Sequence, residues 1–185
     1  PDTSYNGKSI EQINLMKGRK HKAKEEALTV IDIMMAGGAS AVFHGMGEED
    51  VKRIMQYPFN MFASDASIRV LNAGMPHPRG YGTNARVLGK YVREEKVITL
   101  EEAIRRMTSL PAQKFQLSDR GILKEGMAAD IVIFDEKEVK DMATFEKPHA
   151  YSKGFHYVIV NGVITAENEK HLGVRAGKAL YHISQ

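Results

Sequence analysis

Between His21 and Ser64 the hydrophobic period of the sequence switches repeatedly, and this alternation restricts the fold more than any other feature. Ala27, Leu28, Ile31, Met34 and Met35 recur at helical spacing and Gly37-Gly38 follows, which predicts a helix from about His21 to Ala36. Ala39–His44 reads as a short buried strand. Glu48–Tyr57 returns to helix and stops before Pro58, because a residue preceding proline is pushed out of the helical region. Asn60–Ser64 is the next strand. Helix, strand, helix, strand is the order of a parallel sheet or barrel, so the fold class is α/β.

The second of these strands runs straight into Asp65, and a long Gly/Pro-rich loop follows from there to Thr83, with His77, Arg79 and Tyr81 on it. An acid at the carboxyl end of a strand, opening such a loop, occupies the place where barrel enzymes keep their chemistry. A carboxylate there can take a proton from water, orient that water, or ligate a metal. Ser64-Asp65-Ala66-Ser67 equally suits a helix or turn N-cap, and caps far outnumber catalytic acids. Arg79 offers a planar fork that grips a carboxylate through two parallel hydrogen bonds. The alternative is a rigid surface loop whose Arg79 and His77 are simply solvated. His44 ends the other strand, at the same topological level as Asp65. Zinc needs several ligands, however, and no His-x-His spacing accompanies it, so a satisfied strand-end histidine is the simpler reading. His149, His156, His171 and His182 show no pattern and read as ordinary.

Elsewhere the spacing is more local. Ser9 and Gln12 form a capping-box pattern, with Gly18 as a stop; Thr99 and Glu102 form a second such pattern before Leu100, Ala103, Ile104 and Met107. Asn84–Glu94 reads as a helix, and Ser109-Leu110-Pro111-Ala112 as a helix restart with Pro111 at its first position. After Gly121 the texture changes. Gly126–Asp135 reads as turn, apolar strand and turn. Phe155–Val160 and Val163–Ala166 flank Asn161-Gly162, a strong hairpin signal. The polar tail from Glu167 to Gln185 is expected to wrap the surface. Two portions follow, a βα portion over 1–118 and a β portion with tail over 119–185.

Composition excludes several classes. Hydrophobic residues make up 43% and charged residues 26%, ordinary for a folded domain. The net charge of +3 is mild and the basic residues are interleaved with acids, which gives nucleic-acid binding little support. There are no cysteines, so neither a disulfide framework nor a thiolate metal site is available. That fits a reducing compartment, and a cytoplasmic location is expected. No apolar run approaches the roughly 20 residues that span a bilayer, so no membrane partner is expected.

Ser64-Asp65, His77-Pro-Arg79-Gly-Tyr81-Gly-Thr83, Arg86-Val-Leu-Gly89, Tyr91-Val-Arg-Glu94, Glu101-Glu-Ala-Ile-Arg105, Met107-Thr-Ser-Leu-Pro-Ala112, Asp119-Arg-Gly121, Ala129-Asp-Ile-Val132 and Val160-Asn-Gly162 occur in this order. The series closely resembles the carboxyl-terminal part of the N-acyl-D-amino-acid deacylases (D-aminoacylases) of the amidohydrolase superfamily, from about Gly7 to Leu180. The resemblance implies a metal-dependent (β/α)8 hydrolase barrel with a small β-sandwich, of which this chain holds the last βα units and sandwich strands. It implies that Asp65 is the catalytic aspartate after the eighth strand, shared with the metal, activating a zinc-bound water against the amide carbonyl and passing the proton to the leaving amine. It implies that Arg79 holds the carboxylate of the N-acyl-D-amino acid and that His77 and Tyr81 line the same loop. Ser64-Asp65 is followed here by Ala66, where close relatives often have glycine.

A complete barrel takes about 250 residues, and the histidine ligands that the resemblance implies lie upstream of anything in this chain. The expectation is therefore a carboxyl-terminal fragment beginning at Pro1, either paired with a missing amino-terminal part of the barrel or released by proteolysis, and inactive when isolated. Another amidohydrolase acting on a cyclic amide or dipeptide-like substrate is the alternative enzyme; an inert structural or interaction domain is the alternative from a different class.

Overall fold

Ser9 caps the first helix as its spacing predicts. In the computed structural model, which describes residues 2–180, the Gln12 N–H donates to Ser9 Oγ at 3.1 Å and the Ser9 N–H donates to Gln12 Oε1 at 2.8 Å, opening α1, Ile10–Met16. Helix α2, Ala23–Met35, ends with Gly38 N–H on the Ile33 carbonyl at 2.9 Å and Gly37 N–H on the Met34 carbonyl at 3.2 Å, the paired bonds that satisfy a terminating helix.

The face that α2 buries is not its apolar one. Thr29, fully buried, donates to Asn14 Oδ1 at 2.8 Å and accepts from Arg19 Nη1 at 2.8 Å. Asp32 pairs with Arg19 at 2.8 Å and with Lys17. A satisfied polar network therefore sets the α1–α2 contact, while Met34 and Met35 are 69% and 82% exposed. The apolar stripe whose spacing predicts the helix is thus left largely open among the described residues, with Leu28 and Ile31 40% and 50% exposed.

The expected strands Ala39–His44 and Asn60–Ser64 are also not strands here. Both are irregular, and Phe43 is 87% exposed. An apolar strand of a parallel sheet exists only when neighbours fill its hydrogen bonds and cover both faces. No described strand lies beside either segment, because the described sheet starts at Ile131. Between them α3, Glu48–Met55, forms where expected.

Helix α4 runs over Arg79–Arg86 and continues as a π-helical segment over Val87–Glu94. It starts at Arg79 rather than at Asn84, so Arg79 and Tyr81 sit on a first helical turn and not in a loop. Pro78, at φ −59°, already holds the dihedral that the turn needs. Helix α5, Leu100–Met107, is capped by Thr99 Oγ1, which accepts from Glu102 N–H at 3.3 Å. The reciprocal half of that capping box is absent because the Glu102 carboxylate holds Arg105 and Arg106 instead, both at 2.7 Å. Helix α6, Ser109–Lys114, restarts after Thr108 with Pro111 at its third rather than first position.

The sheet is antiparallel in the order β1-β2-β3-β4, with β1 Ile131–Phe134, β2 Phe155–Val160, β3 Val163–Glu167 and β4 Lys170–His171. Asn161 and Gly162, at φ 49° and 80°, make the left-handed two-residue turn that matches strand twist. Asn168 and Glu169 repeat it at φ 46° and 66°, so the tail does not simply wrap the surface from Glu167 but first adds β4. The expectations for Pro1, for His182 and for the tail beyond 180 lie outside the described residues.

The core joins helices to sheet. Met55, Ala85, Val87, Leu88, Tyr91, Val92, Ala103 and Val139 form one buried cluster, against which Phe62, Ile104, Phe134 and Phe155 pack. Val139 is 1% exposed and lies between two glycines: a Cβ added to Gly89 would meet its carbonyl oxygen at 2.7 Å, and one added to Gly154 its nitrogen at 2.5 Å. Among the described residues, no helix is long and apolar enough to cross a membrane.

Candidate functional site

Asp65 adopts a left-handed backbone, φ 46°, a conformation that aspartate tolerates better than most residues other than glycine. No helix begins there, since the next one is capped at Pro78, so the helix-cap alternative is not realised. The carboxylate instead lies 2.8 Å from Arg79 Nη2, with Asp65 84% and Arg79 45% exposed. Both groups face solvent, which leaves them accessible to a ligand.

Arg79 is tied to His77 through its backbone: the Arg79 N–H donates to His77 Nδ1 at 3.0 Å, so that nitrogen carries no proton. Burial, then the charge of Arg79, then His44 hold His77 below the usual imidazole range. His77 and His44 both meet the Phe145 ring edge-on, with centroids 5.1 and 4.7 Å away. Tyr81 Oη lies 3.0 Å from His149 Nδ1, its ring meets Tyr151 edge-on at 5.9 Å, and its carbonyl accepts from Ser152 Oγ at 3.0 Å. The start of α4 and the sheet bound an open cleft of about 460 Å³ whose lining includes Ser64, Arg79, Tyr81, Tyr151, Ser152 and His171.

Of the candidates read from the sequence, Asp65 is paired with Arg79, His77 accepts from the Arg79 backbone, and Arg79 and Tyr81 line the cleft while Asp65 and His77 do not; His44 meets His77 through Phe145. Sequence reasoning missed Phe145, His149, Tyr151 and Ser152, which come from the connection between β1 and β2. One signal was present: in extended chain, residues two apart share a face, and His149-Ala150-Tyr151 places two aromatic rings that way.

The donors among the described residues do not by themselves fit a zinc ion. Among the described residues, no three His, Cys, Asp or Glu side chains converge, and a zinc site needs three or four. Asp65 offers a single hard oxygen ligand.

Residues 12–166 match the amidohydrolase family, and the chain belongs to it. Within that family it is similar to deacylases of N-acyl-D-amino acids, the group that its ordered motifs resemble. It is 46% identical over 124 residues to the N-acyl-D-glutamate deacylase of Alcaligenes xylosoxydans xylosoxydans, covering 67% of this chain and 25% of that protein. It is 36% identical over 180 residues to the D-aminoacylase of the same organism, covering 97% of this chain and 35% of that protein. The crystal structure of N-acyl-D-glutamate deacylase from Bordetella bronchiseptica, complexed with zinc and a phosphonate mimic of the tetrahedral intermediate, superposes with a TM-score of 0.74. That match is 36% identical and covers 87% of this chain and 33% of the other. The chain therefore spans between 25% and 35% of the length of these proteins.

Proposed function

We propose that this chain supplies the proton-handling and carboxylate-holding side of the active site of a metal-dependent deacylase of N-acyl-D-amino acids. The observation that carries the reading is the Asp65–Arg79 pair: an accessible carboxylate and an accessible guanidinium, 2.8 Å apart, in a chain similar to enzymes named for that substrate class. In the reaction, water adds to the acyl carbon, the carbon–nitrogen bond breaks, and a proton must reach the leaving nitrogen. Asp65 takes that proton from the attacking water and returns it to the amine. Arg79 holds the substrate carboxylate through its fork, which fixes the amide relative to Asp65. His77, unprotonated at Nδ1, accepts from the Arg79 backbone, and Tyr81 lines the cleft with Arg79.

The zinc implied by the resemblance would be held by donors outside this chain, on the remaining part of the barrel. Residues 1–118 belong to that barrel in this reading and 119–185 to the β-sandwich. The uncovered apolar stripe of α2 and the irregular segments 39–44 and 60–64 are the surfaces the rest of the barrel would complete.

The test is deacylation of N-acyl-D-amino acids by the full-length protein with zinc, beside Arg79→Ala. Turnover with a KM raised at least tenfold in the variant is expected; an unchanged KM removes the carboxylate role from Arg79.

A further inference from the structure

His149 has every ring nitrogen committed, and the partners fix its tautomer. Nε2 lies 2.9 Å from the Gly74 carbonyl oxygen, which can only accept, so Nε2 carries the proton. The Asn72 N–H, which can only donate, lies 3.1 Å from Nδ1, so Nδ1 is bare. Tyr81 Oη, 3.0 Å from the same Nδ1, must then be the donor in that contact. The turn that presents the two backbone partners is tight: Asn72 and Gly74 are both left-handed, at φ 64° and 67°, and Ala73 N–H donates to the Val70 carbonyl at 3.2 Å. The segment carrying His149 is itself held in place, with Pro148 buried and Ser152 bonded to the Tyr81 carbonyl.

A phenol has one proton to donate. With that proton spent on His149, Tyr81 Oη can offer the cleft only its lone pairs, so it accepts hydrogen bonds there and does not donate them. Tyr81 and Arg79 both line the cleft, and a group that accepts there complements the amide N–H of an N-acyl amino acid, not its carbonyl or its carboxylate. We propose that His149 is a positioning residue: it pins the turn before α4 through Asn72 and Gly74 and sets Tyr81, on the first turn of α4, as the acceptor for the substrate amide N–H. This inference rests on the deacylase reading for its substrate, but its geometry stands apart from it.

The experiment uses His149→Ala, His149→Gln, Tyr81→Phe and the His149→Ala/Tyr81→Phe pair in the full-length enzyme, with an N-acetyl-D-amino acid as substrate. His149→Ala should lower kcat/KM about fivefold or more, the effect of one lost neutral hydrogen bond. His149→Gln, which keeps one donor and one acceptor, should recover most of it. The double variant should be little worse than Tyr81→Phe alone, because His149 acts through Tyr81. Fully additive losses, or no rescue by glutamine, would overturn the proposal.

Absence of deacylation in the unmutated protein would instead reject the substrate reading. The geometry is then judged by ¹⁵N NMR of the imidazole and by amide exchange. His149 Nδ1 should be unprotonated and its resonance should move downfield in Tyr81→Phe. The Asn72 amide should exchange faster in His149→Ala but not in His149→Gln. A protonated Nδ1, or one indifferent to Tyr81→Phe, overturns the inference on its own.

Discussion

Arg79 Nη2 lies 2.8 Å from the Asp65 carboxylate, so the guanidinium proposed to hold a substrate carboxylate already holds one of the chain's own. The pair is solvent-exposed, and exposed ion pairs are worth about 0–1 kcal/mol. A bidentate carboxylate from a ligand can therefore displace it. On the proposed roles, Asp65 and Arg79 are competitors before they are partners: a substrate carboxylate taken up by Arg79 would release Asp65 for proton transfer.

This exchange makes Asp65→Asn unusual among catalytic substitutions. Turnover should fall by about 10²–10⁴, the usual contribution of a general acid–base group. The Kd for an N-acyl-D-amino acid should fall as well, because Arg79 loses its internal competitor. Calorimetric titration of the two proteins with the same substrate checks this, and a weaker Kd in the variant would show that the two residues do not compete.

His77 supplies a pH prediction. Burial first, then the Arg79 charge, then His44 depress its protonation below the usual imidazole range. The unfolded chain picks up that proton near the ordinary value of about 6.5, before the folded protein does. The associated stability is thus fully present above about pH 6.5 and declines as pH falls through that value toward the folded midpoint. Arg79→Ala should move the His77 midpoint upward, but not to the ordinary value, because burial remains. An NMR titration of the ring protons measures it, and a midpoint at or above 6.5 in the unmutated protein would refute the account.

What could be read from the sequence follows from how local each determinant is. The Ser9–Gln12 box and the Asn161-Gly162 turn need only three or four residues to define them, and both form as the sequence predicts. The segments at 39–44 and 60–64 need strands on either side, so their apolar pattern signals a sheet position that no described neighbour completes. The α2 stripe is left largely open for the same reason, while buried Asn14 and Thr29 choose the contact that is made. The candidates Asp65, His77, Arg79 and Tyr81 share one stretch of sequence, which is what lets a sequence reading group them. His149 reaches Tyr81 across 68 residues, and its role depends on a fold-level approach that no spacing rule encodes.

Val139 tests how the helical layer is fixed to the sheet. Gly154, at φ 82°, sits so near that an added Cβ would come within 2.5 Å of the Val139 nitrogen. Backbone cannot step aside there as a flexible side chain would. Gly154→Ala should therefore destabilise the protein by about 2 kcal/mol or more, combining overpacking with a left-handed backbone that alanine resists. Gly173→Ala, where the added Cβ would meet nothing within 4 Å, is the control for backbone strain alone and should cost less. Urea denaturation of the two variants separates them, and equal losses would remove close packing from the explanation.

Glu102 and Arg106 give the last test, in the acid range. Arg106 is 2% exposed, donates to the Met55 carbonyl and pairs with Glu102 at 2.7 Å. Hydrogen bonds from Arg105 and then Arg106 hold the Glu102 carboxyl down at about 2, from an ordinary 4.5. Because the folded state resists protonation, this contribution is complete above 4.5 and is lost as pH falls from there through about 2. Glu102→Gln should thus lower stability at pH 7 and flatten its decline over that acid window. Arg106→Met should lower stability at neutral pH by about 1–3 kcal/mol, since it leaves the Met55 carbonyl without its donor. Denaturation midpoints measured from pH 7 down to pH 2 check both variants. A Glu102→Gln profile parallel to that of the unmutated protein would show that the Arg105–Glu102–Arg106 cluster does not govern the acid response.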